Sequence, residues 1–129
     1  MDFESFAHVP LTDEVLAHIW EGEPGDVNQG GHRFGLGREG KTEFPESWSI
    51  EQVAIAVRKT LDQPQSVRRF RQGIILKRLV VELIIEVELR VRKDGTILIT
   101  AFPLCGHGVF MNVRGKRQQI PLNINNLED

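Results

Sequence analysis

The sequence predicts a single α+β domain in which helices come first and pack on one face of an antiparallel sheet. Three observations carry that expectation. Apolar residues recur at helical spacing only in the first half of the chain, a period of two takes over after Pro64, and Lys93-Asp94-Gly95 punctuates the alternating region as a tight turn. The 129 residues suit one core of ordinary size, and 40% hydrophobic with 26% charged residues describes a globular chain rather than a disordered one.

The first helix is expected over residues 12–20. Thr12 is its N-cap, Asp13 and Glu14 sit at the positive end of the helix dipole, and Val15, Leu16, Ile19 and Trp20 make the apolar stripe. Residues 21–47 then lose all regular period: they hold seven of the twelve glycines, with Pro24 and Pro45 as breakers. A loop of that length inside a compact domain is either functional or disordered, and this one contains His32 and Lys41. The second helix is expected over 50–62, opened by a capping box of Ser49 and Gln52 and ended before Pro64, with Ile50, Val53, Ala54, Val57 and Leu61 on one face. Phe44 and Trp48, which flank the turn into it, read as core and hydrophobic staple rather than as base-stacking residues.

Strand candidates follow at 67–76 and 79–92. In the second, Val87, Leu89 and Val91 alternate with Glu86, Glu88, Arg90 and Arg92, the pattern of a half-buried antiparallel strand. The tight turn leads into a strand over 96–102 that Pro103 is expected to stop. Beyond Cys105 the pattern weakens: 110–113 and 120–124 are edge strands or an ordered tail, and 125–129 is expected to fray. The expected organisation is one domain over 1–129, with a core at about 11–104 and a C-terminal extension at 105–129. No internal repeat is present in the sequence.

Composition excludes several function classes. Sixteen basic against eighteen acidic residues give a formal charge of -2, so no global positive field advertises nucleic acid, and any RNA contact must rest on local patches. The cluster Arg68, Arg69, Arg71, Lys77 and Arg78 is one such patch, and it fits a solvated or charge-protected strand equally well. A single cysteine, Cys105, rules out an internal disulfide and a cysteine-rich zinc site. The N-terminus lacks the basic and apolar regions of a secretory signal, and the apolar run 79–89 is interrupted by Glu82, Glu86 and Glu88. The expectation is a soluble, cytoplasmic chain with no membrane partner, free-standing because it begins at Met1 without a delivery region.

RNA transesterification needs a base for the 2′-hydroxyl proton, an acid for the leaving 5′-oxygen, and a cation near the phosphorane. Imidazoles, with a pKa near ~6.5, suit the first two roles and a lysine the third. The chain offers His8, His18, His32 and His107. His32 follows Gly30-Gly31, where backbone can approach a phosphate, although a lone loop histidine is more often simply solvated. His18, beside Ile19 and Trp20 on a helix, is by itself more often structural.

Four pieces of sequence give this pair a context. They are His18-Ile19-Trp20-Glu21-Gly22-Glu23, Gly30-Gly31-His32-Arg33, the run from Gly40-Lys41-Thr42-Glu43-Phe44-Pro45 to Trp48-Ser49, and Ile99-Thr100-Ala101-Phe102-Pro103. In this order they resemble the bacterial EndoU nuclease domain, whose pattern is His-Ile-Leu-x-Gly-Asp, Gly-Gly-His, Gly-Lys-[Ser/Thr]-x-Phe-Pro-x-x-Trp-Ser and Thr-Ala-Tyr-Pro. The resemblance spans roughly residues 16 to 104.

The resemblance implies a fold shared with many bacterial RNase toxins, two N-terminal helices packed on a four-stranded antiparallel sheet, and an endoribonuclease that cleaves single-stranded RNA to a 2′,3′-cyclic phosphate, with a preference for uridine or another pyrimidine. It implies that His18 and His32 are the acid and base pair, with His32 the favoured base, that Lys41 stabilises charge on the phosphate, and that Thr100 binds the phosphate or a base edge. Arg33, Thr42 and Phe102 are the implied substrate contacts. Phe102 stands where the family has tyrosine: the ring can still stack on a base, a contact worth ~1–3 kcal/mol, but the phenol hydroxyl is lost. Glu23 for aspartate, Trp20 for leucine and the insertion 24–29 are further departures. No metal is required in the chemical step; manganese stimulates some relatives, and no carboxylate and histidine cluster at ligand spacing is present in the sequence. Some relatives are toxin domains, for which the implied partner is a cognate immunity protein and the implied location is outside the producing cell. Two other function classes compete. A catalytically silent RNA- or protein-binding module draws on the missing tyrosine and the net charge, and a metal hydrolase built on His18, His32 and His107 draws on a poor ligand pattern.

Overall fold

The computed structural model describes residues 5–23 and 30–128, so the insertion 24–29 lies outside the described residues. The chain is α+β. Helix α1 (Asp13–Glu21) is followed by a two-residue strand β1 (Thr42–Glu43) and helix α2 (Ile50–Asp62). Then come β2 (Ser66–Phe70), β3 (Gly73–Val80), β4 (Leu83–Val91), β5 (Ile97–Gly106), β6 (Phe110–Val113), β7 (Lys116–Gln119) and a terminal 3-10 turn (Ile124–Leu127).

Both helix starts follow the expected chemistry. The Thr12 side chain accepts from the Val15 amide. Ser49 and Gln52 form the full reciprocal capping box, satisfying two donors that a helix N-terminus leaves orphaned. Helix α2 buries Val53, Ala56, Val57, Thr60 and Leu61; Ile50 and Ala54, expected on that face, are only partly buried, because the buried stripe is centred nearer Ala56 and Thr60.

Strands β2 to β5 form an antiparallel meander in the order β2-β3-β4-β5. Its inner face supplies Leu76, Val80, Ile85, Val87, Leu89, Ile99 and Ala101 to a core completed by Ile19, Phe44 and the apolar face of α2. The opposite, outer face carries Glu86, Glu88 and Arg90 on β4 in register with Phe102, Thr100 and Leu98 on β5. A second, three-stranded sheet has the order β1-β6-β7.

Several expectations require correction. The helices are not both N-terminal to all strands, because β1 precedes α2 and pairs with β6 from the C-terminal segment. The two strand candidates at 67–76 and 79–92 are three strands, turning at 71–72 and 81–82. Neither turn contains glycine or proline; Val81 instead takes φ 57°, a conformation that β-branched residues seldom adopt. Pro103 does not end its strand. β5 lies at the edge of the sheet, where a missing N–H is tolerated, and a register shift after Ile84 leaves Leu104 as the bulged residue. The second C-terminal strand is 116–119 rather than 120–124, and residues 125–127 belong to the terminal turn, held by the Lys77 ammonium donating to the Asn126 carbonyl at 2.9 Å. Residue 129 lies outside the described residues.

Candidate active site

The last turn of a helix leaves carbonyls without intrahelical donors. In α1 those of Ile19 and Trp20 are taken up by the amides of His32 and Arg33 at 2.9 and 3.0 Å, and the His18 carbonyl, already capped by the Gly22 amide at 2.9 Å, also accepts from Gly31 at 3.2 Å. The helix end therefore fixes the path of the loop and brings the His18 and His32 segments side by side. This approach requires glycine. Gly30 has φ +66°, and a Cβ there would lie 2.2 Å from the His18 carbonyl oxygen and 3.1 Å from the His18 Nε2.

His32 is clamped from three sides. Its amide reaches Ile19, its carbonyl accepts from the Phe44 amide at 2.8 Å, and its Nδ1 lies 2.7 Å from the Thr42 carbonyl. A carbonyl can only accept, so Nδ1 carries the proton and the lone pair is on Nε2. The residue is 3% exposed. Burial pulls its pKa from 6.5 down to about 4, overcoming the opposing pull of the Thr42 carbonyl, with the charges of Lys41, His18 and Arg38 lowering it further. The ring is thus neutral at pH 7.

His32 lines a cleft of about 430 Å³ between β1, the preceding turn and the outer face of the large sheet. Lys41 and Thr42 share its upper wall, while Glu88, Arg90, Thr100 and Phe102 form the floor. The structure therefore brings together five of the residues singled out by sequence: His32, Lys41, Thr42, Thr100 and Phe102.

Two others stand apart. His18 is partly buried, with its Nδ1 3.1 Å from a Glu23 carboxylate oxygen, and its charge bears on His32, yet it does not line the cleft. Arg33 is engaged by Glu21 through Nε at 2.7 Å and Nη2 at 3.3 Å, and it also lies outside the lining. Within the cleft, Thr42 serves His32 through its carbonyl, while its hydroxyl is buried with no hydrogen-bond partner. Phe102 stacks on the His32 ring, centroids 5.5 Å apart, so it positions the imidazole in addition to facing the cleft.

Sequence reasoning missed the residue that organises the loop. Glu43 is 1% exposed and accepts from the Gly35 amide at 3.0 Å, the Gly37 amide at 2.8 Å, Asn112 Nδ2 at 2.9 Å, and both Nε and Nη2 of Arg117 at 3.1 Å. Burial alone raises a carboxyl pKa, but these donors outweigh it and hold Glu43 below the ordinary value. The same Asn112 side chain reaches the Lys41 carbonyl, and its backbone carbonyl accepts from the Gly40 amide. Glu39 in turn accepts from the amides of Arg114 and Gly115. The only sequence signal for Glu43 was its place inside Gly-Lys-Thr-Glu-Phe, and Asn112 and Arg117 carried none.

Among the described residues there is no group of three or more His, Cys, Asp or Glu able to hold a metal ion. No described helix is long and apolar enough to cross a membrane. No family model matches the sequence, no curated protein matches it, and no solved structure matches the chain.

Proposed function

We propose that this chain is an endoribonuclease of the EndoU type that cleaves single-stranded RNA through the substrate's own 2′-hydroxyl. The observation that carries the reading is the neutral His32 ring, its proton committed to Thr42 and its lone pair on Nε2, in one cleft with Lys41 and Thr100. At neutral pH that ring is the free base, able to accept a proton at Nε2, and the burial that keeps it unprotonated also weakens it as a base. His32 takes the 2′-hydroxyl proton, the 2′-oxygen attacks phosphorus, and the bond to the 5′-oxygen breaks. His18 is the proposed acid for the departing oxygen; its Nδ1 is turned to Glu23 and it stands outside the cleft lining, so the leaving group has to extend toward α1 to meet it. Lys41 balances the charge that accumulates on the phosphate. Phe102 lacks the tyrosine hydroxyl, so selection of uridine or another pyrimidine rests on Thr100 and on stacking. No metal takes part in these steps, and manganese is at most a stimulant. In a toxin setting, an immunity protein would cover this cleft.

The test is cleavage of a labelled single-stranded RNA in EDTA. His32→Ala is expected to slow the parent's cleavage by ~10²–10⁴-fold, and a 2′-deoxy substitution at the scissile position to abolish it. The acidic limb of kcat/KM is expected near pH 4, because His32 remains a free base down to its pKa of about 4. Equal cleavage of DNA would overturn the mechanism. A catalytically silent RNA- or protein-binding module is the second reading, favoured by one observation: His18 does not line the cleft. Absence of cleavage with retained RNA binding would decide for it.

A further inference from the structure

The floor of the cleft does not end at β4. Register across the large sheet aligns Thr100, Glu88, Ile75 and Arg68 in one row of the outer face, and Leu98, Arg90, Gly73 and Phe70 in the next. Adjacent strands are ~4.8 Å apart, so Arg68 and Phe70 stand ~14 Å from the cleft residues Thr100 and Leu98, on the same face. The far end of this face, by contrast, meets the terminal turn through the contact of Lys77 with Asn126.

What occupies the open half is unlike an ordinary solvated strand. Phe70 is 39% exposed, and its ring lies over Gly73, where an added Cβ would come within 3.1 Å of the ring. An aromatic plane is thus displayed at the hairpin tip and flanked by the exposed arginines Arg68 and Arg71. Between it and the cleft, Arg90 pairs loosely with Glu88 at 3.9 Å. Two carboxylates stand on this face: Arg90 pairs with Glu88, Lys77 and Arg68 act on Glu86, and the exposed Arg71 adds positive charge at the rim. An exposed ring beside guanidinium groups, continuous with a cleft suited to a phosphate and a base, is the composition of a single-strand platform.

We propose that this strip is a second nucleotide subsite: single-stranded RNA leaving the cleft crosses Ile75 and Gly73, stacks one base on Phe70 and lays a phosphate against Arg68 and Arg90. The proposal rests on RNA being the ligand of the cleft, but not on its being cut. It places affinity for longer RNA in the β2–β3 hairpin, the part of the basic cluster that sequence alone left undecided.

The experiment measures binding of 2′-O-methyl oligouridylates, which lack the nucleophile, by fluorescence anisotropy in EDTA, with cleavage of the unmodified RNA followed in parallel. The parent is expected to bind the hexanucleotide at least about tenfold tighter than the dinucleotide. Phe70→Ala is expected to remove most of that ratio, and Phe70→Trp to retain it. Arg68→Gln is expected to reduce the dependence of log affinity on log salt by ~0.7. Circular dichroism guards against misfolding, and Arg68→Gln supplies an independent exposed substitution. An unchanged ratio in Phe70→Ala together with an unchanged salt dependence in Arg68→Gln overturns the subsite even where the RNA is cut. Failure to bind the hexanucleotide also overturns it and leaves the patch to a protein partner. Phe70-dependent binding without cleavage upholds the subsite and rejects the nuclease reading.

Discussion

Leu76 on β3 and Glu43 on β1 are equally hidden from water, yet opposite chemistry holds them in place. Around Leu76 the structure is apolar: the inner sheet face and α2 exclude water, and shape complementarity provides the order. Around Glu43 a buried anion gathers backbone amides, an amide side chain and a guanidinium, and the glycine-rich segment folds about it. The first arrangement tolerates conservative exchange, since any apolar group of similar size can fill its volume. The second does not, because every donor must find an acceptor. The candidate site lies where the two meet, His32 being held by the loop and Thr100 by the sheet.

Breaking the carboxylate centre is expected to have the largest effect. Glu43→Ala leaves the buried donors of Gly35, Gly37 and Asn112 without their acceptor, at ~1–3 kcal/mol each by urea denaturation, while the exposed Arg117 charge turns to water. Hydrogen exchange should quicken at 33–43 and 110–119 while the amides of β3 and β4 keep their protection. Leu76→Ala is expected to cost ~2–5 kcal/mol and to lower protection across the whole large sheet. If both variants lose protection in the same places, the two regions are one cooperative unit and the contrast fails.

Acidity separates the regions in opposite directions. His32 has a folded pKa of about 4 against 6.5 free, so the unfolded chain protonates first: its stabilising contribution is present above pH 6.5 and lost as pH falls toward 4. Glu86 is raised from 4.5 to about 7, by burial and then by hydrogen bonding and repulsion from Glu88, against the pull of Lys77 and Arg68. Its contribution is present below pH 4.5 and lost as pH rises to about 7. Melting temperatures across this range are expected to show Glu86→Gln removing the loss on the neutral side while the acidic loss remains. Smallest of all, Ser49→Ala should cost ~1 kcal/mol in thermal melts with no change in the cleft, since it removes a cap on α2 and nothing more.

How far each region could be read from the sequence follows from the same contrast. Helix α2 was legible to its ends because its signals are local: Ser49, Gln52, an apolar stripe and Pro64. The turn at 93–95 was legible because Gly95 takes a positive φ of 88° in it. The turns at 71–72 and 81–82 were not, since cross-strand pairing such as Val80 with Leu83 imposes them on residues with no turn preference. Strand β7 is Lys-Arg-Gln-Gln and wholly exposed, so it has no hydrophobic alternation to read. Of the residues named from the motifs, His32, Lys41, Thr42, Thr100 and Phe102 share one cleft, whereas His18 and Arg33 stand outside its lining. The supports Glu43, Asn112 and Arg117 were not legible, because their value lies in partners 69 and 74 positions away in the chain.

That separation also has a meaning in time. Closing a contact across some seventy residues requires most of the intervening chain to be ordered first, whereas the β2 to β5 meander advances by neighbouring hairpins. The Glu43 centre is therefore expected to close late, after the rate-limiting step of folding. In stopped-flow chevrons Glu43→Ala should steepen the loss through faster unfolding while the refolding arm stays near that of the parent. The lifetime of the assembled loop around His32, rather than the speed of its formation, is then what this one buried carboxylate governs.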